Sequence, residues 1–289
     1  MINIDTKFIT LIGSPLGQSF AARMQNAAYA AAGLNLCYFY TETGSEHLGA
    51  ILEGVRHMPS FAGCAVTKPN KVAVLPYLDE LDPLCAGMGA CNTVVKTDDG
   101  RLLGYNTDGV GFYRSLVEEA GFTAEGRRFF CFGAGGAARA ICFILAHHGA
   151  ARLYITSRTP ESRQRLAEEL NASLSPIAAA VEPGDLSPLA DCDMVINASG
   201  LGMGKTLWQS PMPKERMEPG LLYFDACYNP TKTRFLLDAE ERGGRILNGL
   251  GMSLYQGAAQ IELWTGQRAP VAAMRQELLN ILTERGAEL

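Results

Sequence analysis

Apolar residues in this chain come in short runs that alternate between two rhythms. KFITLIG (7–13), CYFYTET (37–43) and FAGCAVT (61–67) are too short for helices and rich in β-branched or aromatic residues, which predicts strands. SFAARMQNAAYAAAG (19–33) is alanine-rich, opens on Ser19 as an N-cap and closes on Gly33, which predicts a helix. HLGAILEGVRHM (47–58) reads as a second helix. CNTVVKTDDGRLLGYN (91–106) reads as two strands turned at Asp99-Gly100, a dipeptide suited to a hairpin.

From Gly109 the rhythm becomes regular. GFYRSLVEEAG is helical, RRFFCFG a buried strand, and GAARAICFILAHHG a helix ended by Gly149. ARLYITSR is the next strand and ESRQRLAEELNA the next helix, with DMVINAS, GLLYFDACY and GGRILNG as further strands. Such alternation implies a parallel sheet with helices on both faces. The tail from Ser253 is helical again and needs an apolar surface; returning to the first domain would make that domain discontinuous.

One turn in this pattern carries chemistry. FFCFGAGGAARA fits G-x-G-x-x-G/A through Gly133, Gly135 and Ala138, between a strand and a helix. Gly133 permits a tight turn, Gly135 admits a pyrophosphate close to the backbone, and the helix N-terminus offers N–H groups to the anion. Ala134, Gly136 and Ala137 complete this dinucleotide-binding segment, with Asn197 and Gly251 as more distant candidates. The following strand ends at Ser157-Arg158-Thr159, where an NAD site would usually offer an acid; Arg158, with Arg163 on the next helix, suits the 2′-phosphate of NADP. Glu161 nearby keeps NAD possible.

The bulk figures narrow the field. At 289 residues the chain suits two domains or one large α/β domain, and 47% apolar with 19% charged residues is a globular composition. A formal charge of -5 gives no footing for nucleic acid. No apolar run approaches the roughly 18–20 residues needed to cross a bilayer. MINIDTKFITLIG lacks a cationic opening and a cleavage site, so the reading is cytoplasmic. The eight cysteines show no Cys-x-x-Cys spacing and read as buried thiols, with no metal site. The four histidines show no catalytic spacing; His147-His148 suits a helix C-terminus.

Proton transfer then falls to other groups. Lys71 follows Pro69 and lands in the first turn of a helix beside a buried strand, while Lys68, directly before proline, points to solvent. Asp108, in GYNTDG, lies at the seam between the two rhythms; alone it would be an N-cap for the helix that follows.

These residues together resemble the shikimate/quinate dehydrogenase family along nearly the whole chain. The resemblance rests on Gly13-Ser14-Pro15-Leu16-Gly17-Gln18-Ser19, Val66-Thr67-Lys68-Pro69-Asn70-Lys71, Gly89-Ala90-Cys91-Asn92-Thr93, Asn106-Thr107-Asp108-Gly109, and Gly251 to Gly257 with Gln256. It implies an α/β fold: an N-terminal αβα substrate domain (1–107 and 251–289) and a Rossmann NADP-binding domain (108–250), with the C-terminal helices returning to the first. It implies Lys71 and Asp108 as the catalytic pair, and Ser19, Thr67, Asn92, Thr107, Tyr228 and Gln256 as substrate-binding. The implied activity interconverts a secondary alcohol and a ketone on a cyclic hydroxy acid, shikimate or quinate, in a monomer or homodimer. Two polar groups usual in the family are missing: Ala21 stands for a second serine or threonine, and Ala65 for an asparagine. A dehydrogenase for a different cyclic polyol acid, a folate-type dehydrogenase/cyclohydrolase, and a non-catalytic nucleotide-binding homologue are the alternatives.

Overall fold

The computed structural model describes residues 2–17 and 19–286. The chain divides into two compact units, Met1–Thr107 with Leu254–Arg285, and Asp108–Ser253. Gln18, inside the first quoted motif, lies outside the described residues.

The first unit runs β1 (Lys7–Gly13), α1 (Ala21–Ala31), β2 (Leu36–Glu42), α2 (Leu48–Arg56), β3 (Phe61–Val66), α3 (Asn70–Ala73), β4 (Glu80–Leu81), α4 (Pro83–Met88), β5 (Thr93–Lys96) and β6 (Leu102–Tyr105). Its six strands lie in the order β2-β1-β3-β5-β6-β4. β1 is parallel to β2 and β3, whereas β5 runs antiparallel to β3 and β6. The β5–β6 hairpin turns at Asp99-Gly100, as read from the sequence, with Gly100 at φ 86. Ile12, Cys64, Val66, Val94 and Leu102 point to one face and bury Leu48 and Leu52 of α2. Ser19 does not cap α1: Phe20 holds that position, and the Ser19 hydroxyl accepts from Ala21 N at 3.2 Å.

The second unit runs α5 (Thr107–Ala120), β7 (Arg128–Phe132), α6 (Gly136–His147), β8 (Arg152–Thr156), α7 (Pro160–Ser173), β9 (Ala178–Val181), β10 (Met194–Asn197), β11 (Leu222–Asp225), α8 (Arg234–Glu241) and β12 (Arg245–Asn248). Asp108 sits inside the first turn of α5, not ahead of it as a cap. All the strand pairs of this sheet are parallel, in the order β12-β11-β10-β7-β8-β9. Counted from β7 this is 3-2-1-4-5-6 read from the β9 edge, the dinucleotide-binding topology. Both faces are covered. On β11, Tyr223 turns to Phe235 of α8, while Phe224 meets Phe112 of α5 edge-on at 4.8 Å. A strand buried on both sides has no polar alternation, which is why β7 reads Phe-Phe-Cys-Phe.

Two elements of this unit escape the pattern reading. β9 is Ala-Ala-Ala-Val, with too little side chain to signal a strand, and its pairing with β8 fixes it. α8 is short, and its start depends on Thr233, whose hydroxyl accepts from Leu236 N at 3.4 Å. The small α4 likewise carries no periodicity and relies on Asp82 as its cap.

The tail forms α9 (Gly249–Thr265) and α10 (Val271–Glu284). From Leu254 on it belongs to the first unit. Trp264 Nε1 donates to Val94 O at 2.9 Å across Gly63. A Cβ at Gly63 would stand 2.7 Å from that indole nitrogen and 2.3 Å from Val94 O, so only glycine lets α9 seat there. No helix among the described residues is long and apolar enough to cross a membrane.

Candidate functional site

In the second unit the chain leaves β7 for β8 on one side and β10 for β11 on the other, which opens a crevice beyond their carboxyl ends. A cavity of about 470 Å³ lies there, within the usual range for a cofactor site. Gly133, Ala134, Gly135, Ser157, Arg158 and Thr159 line it. Gly133 has φ +120, and a Cβ on it would fall 2.5 Å from Ala198 O, so the turn tolerates no side chain. A Cβ on Gly135 or Gly136 would meet nothing within 4 Å. That open space sits at the start of α6, where Gly136 and Ala137 expose the first helical N–H groups without a side-chain cap.

The two arginines separate. Arg158 is exposed, lines the cavity, and forms no ion pair among the described residues. Arg163 is buried, gives one hydrogen bond to Ser157 O at 3.0 Å and pairs with Glu182, so it braces the loop from behind. Asn197 is buried too. Its Oδ1 accepts from Ser199 Oγ at 2.6 Å, and its Nδ2 donates to Leu201 O at 3.0 Å and Asp225 Oδ2 at 2.9 Å. It shapes the loop Ala198–Leu201, which does line the cavity. Burial pushes the Asp225 carboxyl up, against the opposing pull of the Thr233 hydroxyl, the Cys227 N–H and the Asn197 amide. Gly251 lies within α9, where a Cβ would stand 2.3 Å from Ser115 Oγ; its smallness serves packing against α5. Sequence reasoning missed Thr156, Ser162, Ser199 and Thr206 among the lining residues, since small polar residues in loops carry no pattern.

In the first unit the polar residues gather at the carboxyl ends of parallel β1 and β3. Ser14 N donates to Lys68 O at 3.1 Å, and Thr67 N to Ile12 O at 2.9 Å. A Cβ on Gly13 would stand 2.3 Å from Thr67 Cγ2, so this approach also needs glycine. α3 follows at once, its start fixed by buried Asn70, whose amide donates to Thr43 O at 3.0 Å. Half-buried Lys71 lies in this single turn, and its carbonyl accepts from Cys91 N at 2.8 Å. The next residue, Asn92, is buried at the centre of a network. Its Oδ1 accepts from Thr107 N at 2.8 Å and from Thr93 Oγ1 at 2.8 Å, and its Nδ2 donates to Gln256 Oε1 at 3.3 Å.

Asn92, Thr107 and Gln256 are therefore one hydrogen-bonded set, with the Lys71 backbone one residue away. Ser19 stands apart from it, on the turn before α1, where its carbonyl accepts from the Tyr40 hydroxyl at 3.1 Å. Tyr228 is half-buried beyond β11 of the other unit, and Asp108 is half-buried directly after Thr107. Exposed Lys68 fits its expected placement. Gln260, Gln25 and Thr93 were missed; the available signal was a glutamine on an otherwise apolar stretch of α9.

The cysteines are free, and all but Cys37 are buried. Among the described residues no group of three or more His, Cys, Asp and Glu is arranged to hold a metal ion. His148 closes α6, but it stacks on Tyr113 at 3.7 Å; burial, then the neighbouring His147, lowers its pKa, which outweighs the benefit of a cation at the helix end.

With this geometry in place, the likeness to known proteins is decisive. The shikimate dehydrogenase substrate binding domain matches residues 11–94, and the shikimate 5′-dehydrogenase C-terminal domain matches residues 249–279. The chain is 44% identical over 280 residues to a shikimate dehydrogenase (NADP(+)) of Moorella thermoacetica, covering 96% of this chain and 94% of that one. The chain belongs to the shikimate dehydrogenase family. Among solved structures it is similar to shikimate 5-dehydrogenase of Listeria monocytogenes in complex with shikimate and NAD, at 37% identity and TM-score 0.92 over 96% of this chain and 98% of that one. It is also similar to the ligand-free 5-ketofructose reductase of a Gluconobacter species, at 33% identity and TM-score 0.89 over 96% of this chain and 100% of that one.

Proposed function

We propose that this protein is an NADP-dependent dehydrogenase that interconverts the secondary alcohol of shikimate and the corresponding ketone. The observation that carries the reading is the 44% identity, nearly end to end, to a relative with that activity in its name. The cavity beyond β7 and β10 fits a dinucleotide: glycines 135 and 136 leave room against the backbone, the α6 N–H groups face anions, and Arg158 stands ready for a 2′-phosphate. When bound there, the nicotinamide supplies the hydride acceptor for oxidation or the donor for reduction.

The chain's own residues handle the proton and the ring. In this reading Lys71 takes the hydroxyl proton during oxidation and returns it during reduction, and Asp108 holds and polarises the Lys71 side chain. Lys71 is one backbone hydrogen bond from Cys91, next to Asn92, and Asp108 directly follows Thr107, whose N–H is held by Asn92; these placements support the pairing. Thr67, Asn92, Thr107 and Gln256 hold ring hydroxyls, Ser19 the carboxylate, and Tyr228 belongs to the same substrate-binding set. The first unit acts as the substrate domain and the second as the cofactor domain.

Ala21 and Ala65 favour a second reading on the same reaction, a different cyclic polyol acid or keto sugar as substrate. Losing one hydrogen bond to a carboxylate costs about 1.5–3 kcal/mol, roughly ten- to hundredfold in affinity. The test follows NADP+ reduction with shikimate and quinate, and NADPH oxidation with 5-ketofructose. Wild type turns over shikimate fastest, and Lys71→Ala or Asp108→Asn lowers kcat by about 10²–10⁴-fold without unfolding the protein. Turnover that survives both substitutions removes the proton-transfer assignment, and faster turnover of the keto sugar moves the substrate.

A further inference from the structure

We infer that Gln260, held in turn by Gln25, is a positioning residue that sets the Thr107 hydroxyl as a hydrogen-bond donor toward the substrate. The inference rests on the proposed substrate-binding roles of Asn92, Thr107 and Gln256.

The argument follows the sense of each hydrogen bond. Gln25 and Gln260 are 1% and 3% exposed, so neither amide can turn to bulk water. Gln25 Nε2 lies 3.2 Å from Gly257 O and 3.3 Å from Gln260 Oε1. A backbone carbonyl only accepts, so the donor end of Gln25 faces α9 and Gln260 Oε1 is an acceptor. Gln260 must then present Nε2 on its other side, where it donates to Thr93 Oγ1 at 3.0 Å and Asn92 O at 3.4 Å.

Thr93 has one proton to give. Because its oxygen accepts from Gln260, that proton goes to the nearest acceptor, Asn92 Oδ1 at 2.8 Å, in preference to Thr107 Oγ1 at 3.3 Å. Asn92 Oδ1 also receives Thr107 N at 2.8 Å, and a backbone N–H can only donate. Two short bonds fill its two lone-pair directions. The Thr107 hydroxyl, 3.2 Å from the same oxygen, becomes the third and weakest claimant. Its other neighbour, Thr93 Oγ1 at 3.3 Å, already accepts from Gln260, so both internal contacts of the Thr107 proton are long, and it is the one the network releases to a closer ligand oxygen. The same orientation turns Asn92 Nδ2 onto Gln256 Oε1, which leaves Gln256 Nε2 as a further donor. The buried relay therefore makes the Thr107 and Gln256 end of this hydrogen-bonded set donor-rich, matched to hydroxyl or carbonyl oxygens.

Without the Gln260 amide, Thr93 is no longer committed, and Thr107 can give its proton to Asn92. Gln260→Leu removes the donor, and Gln260→Glu reverses the sense by accepting from Thr93. Steady-state kinetics on the NADP-loaded enzyme tests this. Gln260→Leu raises KM for the cyclic acid about tenfold, Gln260→Glu raises it further, and both leave KM for NADP+ and kcat within about twofold. Gln25→Leu, one link further back, gives a smaller change in the same direction. An unchanged KM for the acid in soluble, folded variants overturns the inference. So does a parallel rise in both KM values alongside a falling Tm, which marks a general packing role. If Gln260→Leu fails to fold, Gln25→Leu decides on the same criteria. The underlying reading fails separately: wild type turns over no cyclic acid, or Asn92→Ala leaves KM untouched, and either result removes the inference with it.

Discussion

If Arg158 holds the 2′-phosphate as proposed, the two arginines respond differently to substitution. Arg158 lines the cavity and is exposed, with no ion pair among the described residues, whereas Arg163 is 4% exposed and committed to Ser157 O and Glu182. A guanidinium on a phosphate is a hydrogen bond to a charged group, worth about 1.5–3 kcal/mol, and exposure places Arg158 at the lower end because water and salt compete. That corresponds to roughly tenfold in affinity. Arg158→Ala therefore raises KM for NADP+ about tenfold and leaves KM for NAD+ unchanged, so the preference for NADP+ falls by the same factor. Arg163→Ala behaves differently. It leaves the part-buried Ser157 carbonyl without its donor, a loss of about 1 kcal/mol, so Tm falls and both nucleotides weaken together. Initial-rate measurements with each nucleotide at saturating acid, beside thermal melts, separate the two. The reasoning is refuted if Arg158→Ala weakens NADP+ and NAD+ equally, or if Arg163→Ala is selective for NADP+.

Other expectations concern the glycines and one histidine. Gly133→Ala forces a Cβ to 2.5 Å from Ala198 O at φ +120 and lowers stability by about 1–3 kcal/mol, read as a drop in Tm without ligand. Gly135→Ala meets no protein atom within 4 Å, so Tm holds while nucleotide affinity drops in a fluorescence titration; equal Tm losses for the two variants would contradict the assignment of their roles. The His148 pKa is lowered by burial first and by His147 second. Below the ordinary histidine value of about 6.5 the unfolded chain binds the proton that the folded chain resists, so stability present above that pH is lost as pH falls through the window. His148→Gln makes the decline in Tm between about pH 7 and pH 5 shallower than in wild type; parallel slopes would discard this account.

Much of the site was legible because its chemistry depends on local sequence. Gly133 and Gly135 mark a turn whose geometry few other residues permit, and Asn92, Thr107 and Gln256 stand in short motifs. What was not legible depended on partners far along the chain. Arg163 and Asn197 look like ligand-binding residues in sequence, yet their polar atoms are taken up by Ser157, Glu182, Ser199, Leu201 and Asp225. Ser19 looked like a cap, but α1 begins at Ala21 and the cap position falls on Phe20. β9 had no side chains large enough to announce a strand, so only the neighbouring β8 could fix it.

The sequence by itself determined the alternation of strands and helices, the glycine turn and the hairpin at Asp99-Gly100, because each follows from local sterics and from where apolar side chains can hide. Only the tertiary structure decided that β5 runs antiparallel inside the first sheet, that α9 brings Gln256 and Gln260 to Asn92 and Thr93, and that Arg158 rather than Arg163 faces the cavity. Those outcomes are set by contacts between residues as much as 168 positions apart, as between Gln260 and Asn92, and no local propensity carries that information.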